Sequence, residues 1–234
     1  MTMQRISEIT DLQLRQRWLD YLGRPDYHEQ APVKVLYYGH SFVQHLQDYF
    51  ASLPTYMFNF GLDTREACIY YKSLSGATID RLRKKSNVDK VNKMQAEIVI
   101  LECGTNDLAD VDLSAGDVCD KMMNLCRDVL DCRVREVIVS QVLLRGEAGL
   151  RNYDPDYTEK VYLYNHMVEN ALQYLPRASF WHHHNLWRDI EDHVVDGTHL
   201  NDLGNKKLYR SLKGALNTAI TRVRPAWATR GQFS

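Results

Sequence analysis

Three short polar segments of the sequence carry the side-chain types that acyl transfer requires. The first contains Ser41, whose hydroxyl can act as a nucleophile, and the third contains His199, an imidazole of the kind that most often acts as a general base. Asp196 precedes His199 by three residues, so one loop can hold the base and the carboxylate that fixes its tautomer. The second segment contains Asn106, whose amide can donate a hydrogen bond to an oxyanion. These four residues predict attack by a serine on a carbonyl carbon.

Each segment also has an ordinary structural explanation when it is considered alone. A serine that follows a strand and a glycine is a favoured helix N-cap, and Ser41 opens a stretch of helical spacing. Gly104-Thr105-Asn106-Asp107 consists of turn-forming residues, and Asp196-Gly197 is typical of a turn before a helix that Asn201 would cap. The catalytic interpretation therefore depends on a fold that brings the three segments together.

Short apolar runs alternate with segments of helical spacing over most of the chain. We predict strands over residues 33–38, 56–60, 96–102, 136–144 and 178–181. We predict helices that begin at Ser41 and that span residues 115–132, 157–174 and 201–223. Strands buried on both faces and separated by helices indicate an α/β fold with a five-stranded parallel sheet and helices on both sides. In such a sheet the reacting groups gather beyond the carboxyl ends of the strands, where Ser41 and Asn106 lie.

The length of the chain and its turn residues indicate one main domain. The 234 residues suit one large domain, which we place at residues 31–224. Residues 1–30 include a segment of helical spacing that stops at Gly23-Arg24-Pro25, and we expect an N-terminal helical extension packed on the domain. Residues 225–234 contain Pro225 and Gly231, and we expect a flexible tail.

Composition and charge exclude several classes of protein. Apolar residues make up 44% of the chain and charged residues 25%, which is ordinary for a soluble globular protein. The formal net charge of −1 argues against a protein held to nucleic acid or to an anionic membrane by bulk attraction. No apolar run is long enough to span a bilayer, and residues 1–22 resemble neither a signal peptide nor an anchor. We expect a cytoplasmic protein with no membrane partner.

The cysteines and histidines predict neither a disulfide framework nor a metal site. The five cysteines are scattered without a CxxC pair, which predicts buried free thiols in a reducing compartment. In His182-His183-His184, adjacent residues of a strand would point to opposite faces and could not easily share one ion. A solvated helix face explains the basic stretch at residues 81–93, because the net charge is near zero.

The combined motifs resemble those of the SGNH (GDSL-type) hydrolase superfamily, which is named for its Ser, Gly, Asn and His residues. The corresponding segments here are Gly39-His40-Ser41, Ser75-Gly76-Ala77-Thr78, Gly104-Thr105-Asn106-Asp107 and Asp196-Gly197-Thr198-His199-Leu200-Asn201. They run from about residue 33 to residue 216 in the order of the family. Residues 180–184 and 204–209 look like a branch found in invertebrate genomes, some of whose members resemble esterase domains carried by retrotransposons.

The resemblance implies a flavodoxin-like three-layer α/β/α sandwich and hydrolysis of a carboxylic ester through an acyl-serine, with neither metal nor cofactor. It implies that Ser41 is the nucleophile, that His199 is the base and that Asp196 orients His199. The oxyanion would be bound by the N–H groups of Ser41 and Gly76 and by the side chain of Asn106. Small acyl esters, acetylated sugars and lysolipids all remain open as substrates.

One departure from the family pattern supports a rival interpretation. His40 stands where the family commonly has an aspartate, which leaves the shape and polarity of the nucleophile turn open. The rival is a catalytically silent binding module that keeps the hydrolase fold, because a fold does not fix a function. In a mobile element such a module could associate with nucleic acid through the basic stretch at residues 81–93, and salt-dependent binding would then be expected.

Overall fold

The computed structural model describes residues 31–150, 155–184, 186–187 and 189–224. The chain divides into a unit of residues 1–32 and a unit of residues 33–234, and the second contains the fold given below. The predicted N-terminal extension at residues 1–30 and the predicted tail at residues 225–234 lie outside the described residues.

A five-stranded parallel sheet forms the centre of the domain, as the sequence predicts. Its strands are β1 (Val33–Gly39), β2 (Ala67–Ser73), β3 (Ile98–Glu102), β4 (Glu136–Ser140) and β5 (Ala178–Trp181). They are arranged in the order β2-β1-β3-β4-β5, and every pair is parallel. This is the flavodoxin-like strand order. From β1 the chain adds β2 on one side and then crosses to the other side of β1 to add β3, so the order of the strands reverses between β1 and β3. Ligands of such sheets bind beyond the carboxyl ends of the strands at this reversal.

Helices cover both faces of the sheet and give the three-layer α/β/α sandwich. They are α1 (Ser41–Ala51), α2 (Ile79–Arg83), α3 (Lys85–Met94), α4 (Thr105–Leu108), α5 (Ala115–Leu130), α6 (Glu147–Leu150), α7 (Tyr157–Leu172) and α8 (Asp202–Val223). Two 3₁₀ turns lie at Thr55–Asn59 and Ile190–His193. The long predicted helices are confirmed, and Asn201 caps α8 by accepting the N–H of Gly204 at 2.9 Å.

Each face of the sheet contributes to its own apolar core. Successive residues of β1 alternate between the two: Leu36 and Tyr38 pack into a core built with α2, α5 and α7. Val35 and Tyr37 pack into a second core built with α1 and α8. All four side chains are almost completely buried, and a fully buried side chain of this size contributes about 1.5–3 kcal/mol through the hydrophobic effect. The two cores therefore hold β1 from both of its faces, and Ser41 follows shortly after its carboxyl end.

The position of the second strand was predicted wrongly. Residues 56–60 belong largely to the 3₁₀ turn Thr55–Asn59, and the edge strand is Ala67–Ser73 instead. Phe60 has a φ of 55°, which interrupts an extended run. The Asn59 side chain then binds the loop to the true strand, because it donates to the Ala67 carbonyl at 2.8 Å and accepts the Ile69 N–H at 3.0 Å. The fourth strand also ends at Ser140, four residues before the predicted end at residue 144.

The predicted state of the thiols is confirmed. Cys68, Cys103, Cys119, Cys126 and Cys132 are all free and buried. In the described part of the chain, no helix combines the length and the apolar character that crossing a bilayer requires.

Candidate active site

The nucleophile turn lies where β1 ends and α1 begins. Gly39 is the last residue of β1 and pairs with Glu102, the last residue of β3. A Cβ at Gly39 would stand only 2.0 Å from the Glu102 carbonyl oxygen, so no side chain can be accommodated at this close approach. The His40 N–H donates to the same carbonyl at 3.1 Å. The turn is thereby held against β3, and Ser41 projects from the first turn of α1.

Ser41, His199 and Asp196 form a continuous chain of hydrogen bonds, which we call the triad. Ser41 Oγ lies 3.3 Å from Nε2 of His199, although the two residues are 158 positions apart in the sequence. Nδ1 of His199 lies 2.7 Å from Oδ2 of Asp196. Because a carboxylate can only accept, this contact assigns the proton to Nδ1 and leaves Nε2 as the acceptor that faces the serine.

Asp196 also organises the loop that carries the histidine. Its Oδ1 accepts the backbone N–H of Thr198 at 2.9 Å and of His199 at 2.7 Å. Burial raises the pKa of Asp196, but the hydrogen bonds from the His199 side chain and from these two backbone N–H groups outweigh it and hold the pKa well below its usual range. The carboxylate is therefore ionised at any pH at which an esterase would work.

Two further segments lie beside the nucleophile turn: the loop at residues 74–78, and residues 104–107, which lead into α4. We call them the oxyanion loops after the role that the sequence resemblance implies for them. The first is anchored to the end of β1, because the Leu74 N–H donates to the Gly39 carbonyl at 2.9 Å. Gly76 in this loop has a φ of +64°, and the space that its Cβ would occupy holds no atom within 4 Å. A larger residue at this position would be strained by the positive φ and not by a steric clash, so the glycine is required for the backbone conformation of the loop.

Asn106 joins the two oxyanion loops. Its Nδ2 donates to the Ala77 carbonyl at 3.0 Å, which leaves the second N–H of the amide group for another acceptor. The carboxylate of Asp107 accepts the Ile79 N–H at 3.0 and 3.2 Å and so holds the first turn of α2. Among the described residues, no hydrogen bond directly joins Ser41 to Asn106.

Buried residues that the sequence did not point to support the second oxyanion loop. Arg145 is 5% exposed and donates to the Thr105 carbonyl at 3.3 Å. Its guanidinium group lies 4.8 Å from the ring centroid of Tyr157, a cation–π distance. The Tyr157 hydroxyl contacts Thr105 Oγ1 at 2.7 Å. No sequence signal marks Arg145, since it follows β4 and meets Thr105 only through the fold.

His40 caps the first helix with its own side chain. The residue is 1% exposed, and its Nδ1 accepts the Phe42 N–H at 3.3 Å, which makes it the N-cap of α1. Burial, together with the positive charges of Arg145, His199 and His45, lowers the pKa of His40 to about 3. A neutral imidazole is thus the acceptor in this turn, which answers the question that its sequence raised.

Two more side chains that the sequence did not predict are His45, which lies against the triad, and Glu102, which lies at the end of β3 beside Gly39. The His45 ring stacks on the His199 ring with centroids 4.4 Å apart and an interplanar angle of 10°. Its position four residues after Ser41 on α1 is the signal that could have indicated it. Glu102 is 3% exposed and accepts the Tyr37 hydroxyl at 3.0 Å, and burial raises its pKa to about 7.

The three adjacent histidines lie in two environments: the rings of His182 and His184 stack on each other, whereas His183 is buried away from them. His182 contacts Glu169 at 2.8 Å, and His183 is completely buried with Nδ1 2.8 Å from Ser211 Oγ. His182 and His184 line a cavity of about 580 Å³. Within residues 31–150, 155–184, 186–187 and 189–224, no group of three or more His, Cys, Asp or Glu side chains is arranged to hold a metal ion.

Comparisons with known proteins find solved structures of similar fold but no match by sequence. No family model and no curated protein matches the chain. Among solved structures it is similar to an acetyl esterase with an acetate ion, at a TM-score of 0.60 and 15% identity over 82% of this chain and 99% of the other. It is also similar to a GDSL-like lipase from Bacteroides thetaiotaomicron, at a TM-score of 0.59 and 15% identity over 82% and 93%.

A third similar structure is a carbohydrate esterase family 3 protein from Talaromyces cellulolyticus, at a TM-score of 0.58 and 15% identity over 81% of this chain and 99% of the other. The chain has the fold of these ester hydrolases. The chain spans nearly the full length of each of these structures. Ser41 follows the carboxyl end of β1, the edge at which parallel sheets of this kind bind ligands.

Proposed function

We propose that the protein is a serine hydrolase that cleaves carboxylic esters through an acyl-serine intermediate. The observation that carries the proposal is the hydrogen-bonded chain of Ser41, His199 and Asp196. A hydroxyl, an imidazole and a carboxylate in this order are the constellation that activates a serine on several unrelated folds. The esterase fold of the chain supports the same conclusion.

In the first half-reaction His199 Nε2 would take the proton of Ser41 as Oγ bonds to the carbonyl carbon. The carbonyl π electrons move to oxygen and give a tetrahedral oxyanion. When the intermediate collapses, the bond to the leaving alkoxy group breaks, and His199 returns the proton to the departing alcohol. Ionised Asp196 stabilises the imidazolium that exists between these two events.

In the second half-reaction water would attack the acyl-serine. His199 removes a proton from the water, a second oxyanion forms, and its collapse breaks the bond to Oγ, which recovers the proton from the imidazolium. The products are the carboxylic acid and the free enzyme, so the cycle needs no metal and no cofactor.

The oxyanion would be stabilised by three donors: the N–H groups of Ser41 and Gly76 and the Nδ2 of Asn106. The Ser41 N–H belongs to the first turn of α1, where backbone N–H groups have no partner within the helix and the helix dipole is positive. The hydrogen bond from Asn106 to Ala77 supports this assignment, because it brings the amide next to the loop of Gly76.

Esters with short acyl groups are the first substrates to test. Two of the similar structures are an acetyl esterase and a carbohydrate esterase, which supports acetyl esters and acetylated sugars before lysolipids. Five buried free thiols support a reducing, cytoplasmic location. The finer placement among invertebrate, retrotransposon-borne esterase domains depends on residues 180–184 and 204–209 alone.

The alternative of a catalytically silent binding module is suggested by His40 in the nucleophile turn. The geometry argues against it, because His40 caps α1 as a neutral acceptor. Its nucleic-acid variant is also weakened, since Arg83 pairs with Asp128 and Lys85 with Asp89 within or beside the basic stretch. These carboxylates reduce the local positive charge that phosphate binding would need.

The test is a panel of p-nitrophenyl esters of increasing acyl length, assayed with the full chain and with Ser41→Ala. We expect turnover by the unchanged protein and a fall to the background rate in Ser41→Ala. Ser52→Ala is the matched control, because Ser52 lies at the other end of α1 and its hydroxyl donates to the Tyr49 carbonyl. Equal turnover by the unchanged protein and Ser41→Ala would refute the proposal.

A further inference from the structure

His45 covers one face of the His199 imidazole. The two rings are nearly parallel, at 10°, with centroids 4.4 Å apart. The Phe42 ring approaches His199 edge-on with a centroid distance of 6.4 Å. His199 therefore contacts two side chains of α1 in addition to Ser41, and all three lie on one face of the first turns of that helix.

The hydrogen bonds of His199 leave one motion of its ring uncontrolled. Nδ1 faces Asp196 and Nε2 faces Ser41, and both contacts act in the plane of the ring. A tilt about the line between the two partners changes neither distance greatly, yet it changes the direction of the Nε2 lone pair toward Oγ. A flat ring packed against the face opposes that tilt.

We propose that His45 is a positioning residue for the catalytic histidine. Its ring packs against the face of the His199 imidazole and, while neutral, favours the positive charge that develops on His199. This inference rests on the proposed function of Ser41 and His199. It is independent of the hydrogen bonds of the triad, because His45 acts through ring contact alone. An aromatic face beside a cation is favourable, whereas a second cation at the same distance is repulsive.

Several charged or titratable groups face His45. His199 and Asp196 lie on the loop before α8, Asp48 lies on α1, and His40 precedes α1. Burial and the positive charge of His199 lower the pKa of His45, and Asp48 and Asp196 oppose this in part. His45 is consequently neutral at neutral pH, and its protonation in acid would place a cation against the base when the base must itself become charged.

The kinetic test compares His45→Ala, which removes the ring, with His45→Phe, which keeps a flat ring that cannot be protonated. We expect His45→Ala to lose about three- to ten-fold in kcat with KM changed less than two-fold, which is the size of one ring contact. We expect His45→Phe to keep most of kcat. His166→Phe is the matched control, since His166 is an exposed histidine of α7.

The pH profile gives a readout that a merely structural role would not change. In the unchanged protein, protonation of His45 should make the acid limb of kcat/KM steeper. In His45→Phe, whose ring cannot be protonated, the limb should be less steep. Superimposable profiles for the unchanged protein, His45→Phe and His166→Phe, with no loss in His45→Ala, would overturn the inference.

A measurement without turnover separates this inference from the proposed function. NMR titration of the His45 ring should show its pKa rising in His199→Gln, because a neighbouring cation is removed, and falling in Asp48→Asn, because a neighbouring anion is removed. If no ester is hydrolysed, the proposed function fails while these shifts still test the stacking. An unchanged His45 pKa in His199→Gln would overturn the inference even in an active enzyme.

Discussion

The triad and the oxyanion loops use opposite means to hold their polar groups. The triad depends on side chains that remain in contact with solvent, since the Asp196 side chain is exposed at 55% and that of His199 is partly buried at 29%. The second oxyanion loop depends on buried ones, since Asp107 is fully buried and Thr105 is 6% exposed. Exposed groups are held by short local hydrogen bonds, whereas buried groups are held by a network that includes Arg145 and Tyr157.

This difference separates chemistry from stability. Replacing a polar side chain at a solvent-exposed site lowers the stability of the protein only slightly, because water takes the place of the lost group. Replacing one in a buried network leaves its hydrogen-bond partners unsatisfied, and this lowers the stability more. We therefore expect substitutions in the triad to affect catalysis alone and substitutions under the oxyanion loops to affect folding as well.

The largest expected effect is that of Asp196→Asn. The amide oxygen can still accept the two backbone N–H groups, but the NH₂ group cannot accept from Nδ1 and favours the wrong tautomer of His199. We expect kcat to fall on the order of 10³–10⁴-fold, with the melting temperature within about 2 °C of the unchanged protein. Asp192→Asn, at an exposed position of the preceding turn, is the control. A loss of less than about ten-fold would show that the carboxylate does not orient the base.

Asn106→Ala tests the other side of the comparison. Removal of one oxyanion donor is expected to lower kcat on the order of 10²–10³-fold, and loss of the hydrogen bond to Ala77 should lower stability by about 1 kcal/mol. Kinetics and urea denaturation measure the two effects on the same sample. Asn124→Ala on α5 is the control. A normal kcat would remove Asn106 from the oxyanion site.

Glu102→Gln is expected to change the pH dependence of stability. The pKa of Glu102 rises on folding from 4.5 to about 7, so the folded state favours the protonated form. The stabilisation is fully present below the pKa of the unfolded chain and is lost as the pH rises through the folded value. A shift of this size corresponds to about 3 kcal/mol, and the glutamine avoids the loss because it stays neutral.

Chemical denaturation at pH 5 and pH 8 measures this prediction. The difference in unfolding free energy between Glu102→Gln and the unchanged protein should grow in favour of the variant at pH 8. Glu159→Gln, at an exposed position of α7, should show no such growth. A constant difference at both pH values would mean that Glu102 is not buried as a carboxylic acid beneath the nucleophile turn.

The parts of the molecule that the sequence predicted are those whose signal is local. β1, β3 and β4 are apolar because both faces of the sheet are covered there. Asp196 and His199 are three residues apart because one loop must hold both. The edge strand β2 was not predicted, because much of it is only partly buried and it contains Lys72. Its pattern of apolar and polar residues is therefore mixed.

Residues whose role exists only between distant segments could not be predicted. Arg145 meets Thr105 only through the fold. The contact of His45 with His199 also arises in the fold, although the position of His45 four residues after Ser41 could have indicated it. The capping role of His40 depends on its burial, which lowers its pKa and keeps it a neutral acceptor. Sequence spacing contains no measure of burial, so it left the nature of this turn undecided.

The most direct test of the central claim is the site of covalent modification by a serine-directed fluorophosphonate. The folded protein would be labelled near neutral pH, digested, and mapped by mass spectrometry. We expect one phosphonate adduct on the peptide that contains Ser41, and its loss in both Ser41→Ala and His199→Ala, because the hydroxyl needs its base. Adducts on another residue, or none on a protein shown to be folded, would contradict the account.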